Sequence, residues 1–114
     1  MPYFRLETNV ALDQDQVDSL LSQISRKLSQ ELGKPERYVM VQLVPSANLM
    51  FDGNRQPAAY VELKSIGLPE TQTQPLAQSV CGVLEQQFGI PPDRVYIEFI
   101  DIPRKYWGWN NSTF

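Results

Sequence analysis

The chain carries one structural plan twice, and this repeat limits the possible folds more than any other feature of the sequence. With a shift of 56 positions, Gly33 falls on Gly89, Pro35 on Pro91, Val39 on Val95, Val41 on Ile97, Gln42 on Glu98, Leu43 on Phe99 and Val44 on Ile100. One further residue of offset brings Phe4-Arg5-Leu6-Glu7-Thr8 onto Val61-Glu62-Leu63-Lys64-Ser65. A length of 114 residues fits one domain, so residues 1–114 are read as a single domain made of two halves that share a supersecondary plan.

Each half reads strand, helix, strand. In the first, Phe4 and Leu6 alternate with Tyr3, Arg5 and Glu7, giving a strand with two unlike faces. Val17, Leu20, Leu21, Ile24, Leu28 and Leu32 then recur at helical spacing as one apolar stripe. Asp13, with Gln16 three residues on, has the form of a capping box. Gly33 suits the left-handed conformation that ends a helix, and Pro35 prevents continuation. Tyr38 to Val44, rich in β-branched residues, reads as a buried strand. In the second half Ala59 to Ser65 is a strand, and Leu76, Val80, Val83, Leu84 and Phe88 form the second helical stripe. Pro75 is expected in that helix's first turn, Gly89 stops it, and Arg94 to Ile100 is the last long strand.

Strands joined through a helix run parallel, so each half is a βαβ crossover. Two such units predict an α+β fold: a four-stranded mixed sheet with both helices on one face. The other face, carrying residues such as Met40 and Tyr96, is left open, and a second subunit is its natural cover. The tail that follows holds four aromatics in the nine residues from Tyr106 to Phe114. So much apolar surface is expected to fold back as a short strand or to staple a neighbouring subunit, and some of its rings could also wall a ligand pocket.

Composition narrows the chemistry. There is no His, which removes His-based triads, metal sites and proton shuttles. The single Cys excludes an internal disulfide and a Cys-based zinc site. Cys81 lies in Val80-Cys81-Gly82-Val83-Leu84, an apolar helical stretch, and reads as a buried structural thiol rather than a nucleophile. The six Gly form no phosphate-binding loop pattern. The net charge of -3, with Lys and Arg scattered, argues against nucleic acid as a partner. No apolar run approaches the ~20 residues of a membrane span. The N-terminal residues lack a secretory pattern, so the expected compartment is the cytosol.

Several motifs combine into one resemblance. Pro2 directly after Met1, Thr8-Asn9-Val10, Gly33-Lys34-Pro35, Ser65-Ile66-Gly67, Cys81-Gly82, Pro92-Asp93-Arg94-Val95-Tyr96-Ile97 and Gly108-Trp109-Asn110-Asn111-Ser112-Thr113-Phe114 occur in order along the whole chain. Together they resemble the macrophage migration inhibitory factor family of the tautomerase superfamily. The resemblance implies two βαβ units assembled as a homotrimer, with active sites between adjacent subunits. It also implies keto–enol tautomerisation of phenylpyruvate-like or dopachrome-like compounds, a cofactor-independent isomerase activity. By the same resemblance Pro2 is the catalytic residue, and Lys34 (side chain) and Ile66 (backbone) contact the substrate. Tyr96 comes from the neighbouring subunit, and Tyr38 and Trp109 are aromatic pocket positions. Glu98 stands where well-known animal members carry a substrate-binding Asn. The stretch Pro57-Ala58-Ala59-Tyr60 replaces a Cys-x-x-Cys motif found in some of them, which removes thiol–disulfide chemistry.

A terminal proline suits proton transfer. The ideal base has a pKa near working pH, and an α-amino group starts near ~8, well below a Lys side chain at ~10.4. Burial and a nearby cation such as Lys34 would lower it further. No metal or cofactor is needed. The scheme requires removal of Met1, because an acylated Pro2 nitrogen has no useful basicity. Glu98, if it points into the pocket, would repel anionic substrates unless Lys34 or Lys64 neutralises it; alternatively it pairs with a lysine at a rim. Two other readings remain at this level: a cytokine-like signalling protein with a vestigial pocket, and a generic ferredoxin-like binding module. The sequence marks no receptor surface.

Overall fold

A computed structural model describes residues 1–114. Its main elements are β1 (Tyr3–Thr8), α1 (Gln14–Leu32), β2 (Met40–Val44), β3 (Ala59–Ser65), α2 (Thr73–Phe88) and β4 (Val95–Asp101). A hairpin of β5 (Gly108–Trp109) and β6 (Ser112–Thr113) closes the chain.

Helix α1 begins as its sequence predicts. The Asp13 carboxylate accepts from the Gln16 backbone N–H at 2.8 Å, and the Gln16 side chain accepts from the Asp13 N–H at 2.9 Å. Both helices end on glycine in the left-handed region, Gly33 at φ 63° and Gly89 at φ 66°, where a side chain would be strained. Pro75 falls in the first turn of α2, where its missing N–H leaves no gap.

The strands form one mixed sheet in the order β2-β1-β3-β4. β1 pairs parallel with β2, β3 parallel with β4, and the two halves meet through the antiparallel pair β1–β3. Phe4, Leu6, Val61 and Leu63 point to one face, where they pack in a single core with Leu20, Ile24 and Leu28 of α1 and Leu76, Val80 and Leu84 of α2. The opposite face is bare and largely polar. Met40 and Tyr96 on it are each 65% exposed.

Four details differ from the sequence reading. The second strand begins at Met40, and Glu36–Tyr38 form a 3-10 turn before it, held by the Tyr38 N–H donating to the Pro35 carbonyl. β2 is also an edge strand with alternating exposure, not a buried one: Val41 and Leu43 pack against the core on the helix side, while Met40 and Gln42 are exposed on the other. Arg94 likewise belongs to the 3-10 turn Pro92–Arg94, one repeat later, and is buried. Cys81 is half-buried rather than enclosed, because the outer flank of α2 faces solvent. Burial, with Glu85 adding to it, pushes its thiol up from the ordinary value.

The tail folds back on its own chain. Asn110 and Asn111 both have positive φ, 53° and 63°, the conformation a two-residue hairpin turn requires and asparagine tolerates. The hairpin delivers Trp109 and Phe114 to the Tyr38 ring.

Candidate active site

Topology brings distant segments to one end of the sheet. Because β1 and β2 are parallel, they start together, and the Met40 N–H donates to the Pro2 carbonyl at 3.0 Å. Because β3 runs antiparallel to β1, its last residues arrive at the same place: Tyr3 is opposite both Met40 and Lys64. β4 ends there too, where the Ile102 N–H donates to the Ser65 carbonyl at 2.9 Å. The tail that follows β4 closes the side.

The result is a cleft of about 560 Å³ whose walls include Pro2, Tyr38, Lys64, Ile102, Trp107 and Trp109. Its aromatic wall is ordered. Trp109 and Phe114 stack with centroids 5.6 Å apart and planes 11° from parallel. Tyr38 meets both edge-on, at 5.5 and 5.9 Å.

Pro2 is fully buried at the base of this cleft. The terminal amine, here on Met1, is held below the usual α-amino value, first by burial and then by the Lys34 charge. Lys34 is fixed just past the end of α1. Its N–H donates to the Ser29 carbonyl at 3.1 Å, and the Ser29 hydroxyl donates to the Lys34 carbonyl at 2.6 Å. Ile66 is buried in the turn after β3, where the Asp101 carboxylate accepts the Gly67 and Leu68 N–H groups at 3.0 and 3.1 Å.

Of the residues read from the sequence, Pro2, Tyr38 and Trp109 line the cleft directly. Lys34 acts on the terminus through its charge. Ile66 lies in the adjoining turn. Tyr96 and Glu98 line no part of their own chain's cleft; they stand on the bare sheet face. Tyr96 meets Phe51 edge-on at 4.9 Å. Glu98 accepts from the Tyr60 hydroxyl at 2.6 Å, and the same hydroxyl reaches Glu62 at 3.2 Å. The hydrogen bond to Glu98, burial and the Glu62 contact together push the Tyr60 phenol well above its ordinary value.

The cleft also contains Arg37, Val39 and Ile102, which the sequence does not single out. Val39 and Ile102 read as plain apolar positions. The turn at Glu36–Tyr38 brings Arg37 to the cleft.

The comparisons with known proteins agree across the full length. The family model for macrophage migration inhibitory factor (MIF) matches residues 1–114. The macrophage migration inhibitory factor of Meriones unguiculatus is 37% identical over 115 residues, covering 100% of this chain and 99% of that protein. The homolog from Brugia malayi is 36% identical over 117 residues, again covering 100% and 99%. Among solved structures, the Prochlorococcus marinus homologue superposes with a TM-score of 0.93 at 47% identity, covering 98% of each chain. The Trichinella spiralis protein gives 0.89 at 32% identity, covering 98% of this chain and 99% of that one.

Proposed function

This chain belongs to the macrophage migration inhibitory factor family, and from that premise we propose that it is a keto–enol tautomerase with Pro2 as its base. Family membership supports tautomerase or cytokine-like function in general. The observation that carries the enzyme reading is a terminus seated in an aromatic-walled cleft, with Pro2 buried at its base and the pKa of the adjoining Met1 amine lowered by burial and by Lys34.

The proposed cycle begins after removal of Met1. The Pro2 nitrogen takes a proton from the carbon next to the substrate carbonyl, and the resulting prolinium returns a proton to complete the isomerisation. Lys34 pairs with the substrate carboxylate or the developing enolate oxygen, and the Ile66 backbone offers a further polar contact. Tyr38 and Trp109 hold an aryl group.

The assembly proposed for this chemistry is a homotrimer, in which Tyr96 and Glu98 of one copy approach the cleft of the next. The bare sheet face on which both stand supports it. The substrate class proposed is small aromatic keto acids of the phenylpyruvate or dopachrome type.

The test is a phenylpyruvate and dopachrome assay on protein whose mass shows that Met1 is absent. Pro2→Gly should lower turnover by on the order of a hundredfold or more, the usual loss when a positioned base is removed. Parent-like activity in that variant would exclude Pro2 as the base. Retained Met1 in an active preparation would do the same.

A further inference from the structure

We propose that the cleft selects ligands with two anionic groups, namely an aryl keto acid whose ring bears a second carboxylate, and that Arg37 reads that second charge. The proposal rests on the tautomerase reading and narrows its substrate class.

The first observation is the charge of the walls. Arg37 and Lys64 both line the cleft, and no Asp or Glu side chain of the same chain does; the one carboxylate that the proposed trimer adds is Glu98 of the neighbouring copy. The ion pairs in the chain are Arg5–Glu7, Lys27–Glu31 and Lys64–Glu62. Lys64 is thus partly neutralised by Glu62, at 4.0 Å. Arg37 has no such partner. Its neighbour in sequence, Glu36, is turned toward α1, where the Ser25 hydroxyl donates to it at 2.9 Å.

The second observation is where these cations lie. Lys34 and Lys64 belong to the end where reaction would occur: Lys34 acts on the terminal amine, and Lys64 is opposite Tyr3 in register. Arg37 belongs to the aromatic wall. Its guanidinium carbon sits 4.8 Å from the centroid of the Tyr38 ring, which packs edge-on against Trp109 and Phe114. An aryl group against this wall, with its keto acid toward Pro2, extends its far substituent toward the guanidinium. The ring under Arg37 limits its motion without using its N–H donors, so a planar fork remains free for a carboxylate.

Calorimetry on Met1-processed protein decides the matter, with cinnamate as a one-carboxylate probe and para-carboxycinnamate as a two-carboxylate probe. The parent should bind the second on the order of fivefold tighter, as expected for a partly exposed charge-assisted pair. Arg37→Gln should bring the ratio close to one, and Arg37→Lys should keep part of it, since a point charge remains without the fork. Equal affinities in the parent, or an unchanged ratio in Arg37→Gln, would overturn the assignment. So would dissociation of the oligomer in Arg37→Gln, which would mean that the guanidinium is bonded to a neighbouring copy. Phenylpyruvate turnover by the parent is scored separately. Its absence defeats the enzyme reading, and with it the claim that the dianion is a substrate, whereas an unchanged ratio defeats Arg37 alone.

Discussion

At the scale of single residues, the charge state of the terminal nitrogen is the controlling quantity. Burial and the Lys34 charge both disfavour the ammonium form of the Met1 amine, and the same two causes are expected to act on the Pro2 nitrogen once Met1 is removed. In the processed protein the rising limb of kcat/KM against pH should therefore lie below the ordinary α-amino value. Lys34→Gln removes one of the two causes and should move that limb to higher pH, besides weakening substrate binding; a limb that stays in place would mean the lysine charge does not reach Pro2. Glu98 makes a second prediction. If a neighbouring copy receives it near the cleft, Glu98→Asn should improve phenylpyruvate turnover by relieving repulsion, and unchanged kinetics would count against that role. Tyr60 gives a third. Its hydroxyl is shared by Glu98 and Glu62, so ionising it would place a third negative charge among them. Spectrophotometric titration of the five tyrosines should show one late step, absent in Tyr60→Phe.

At the scale of elements, Arg94 latches the loop before β3 to the start of β4. It is buried without a carboxylate partner, and its guanidinium donates to the carbonyls of Pro57 at 2.9 Å, Gln56 at 3.1 Å and Phe51 at 3.2 Å. It also lies over the Phe51 ring, 5.2 Å from the centroid. Arg94→Leu would strand these acceptors and should cost on the order of 3 kcal/mol in denaturant unfolding. Asp13→Ala, by contrast, removes one arm of a surface cap on α1 and should cost about 1 kcal/mol. The cap was legible in the sequence because it depends on residues three apart. The Arg94 latch was not, because its acceptors are backbone carbonyls some forty positions away, in a loop with no periodic pattern.

At the scale of the whole molecule, the sheet has one face covered by helices and one face without cover. Along the bare face, Arg5 is opposite Glu62, and Glu62 is opposite Glu98. The Arg5 Nε is buried without an acceptor. Like charges directly opposed across strands destabilise a sheet, and an unpaired buried donor adds to that cost. Assembly that presents new partners to this face would offset both. The proposed homotrimer should appear in sedimentation as the mass of three chains, and its Tm should rise with protein concentration, as linkage requires. A monomeric mass with a concentration-independent Tm would rule it out.

Sequence alone determined the repeat, the two helices with their stops, the strand pattern, and hence two βαβ units with one bare face. These follow from local propensities and spacings of a few residues, which a single chain displays without its tertiary contacts. Through a family resemblance it also supplied Pro2, Lys34, Tyr38 and Trp109 as expected site residues. The tertiary structure decided which ends of the strands coincide, and therefore that Pro2, Lys64, the Tyr38 turn and the Trp109 hairpin share one cleft. It turned β2 into an edge strand and moved Tyr38 and Arg94 out of strands into 3-10 turns. It also revealed Arg37 as a wall residue. Pairing direction and register set these outcomes, and they depend on contacts between segments tens of residues apart, which no local pattern encodes.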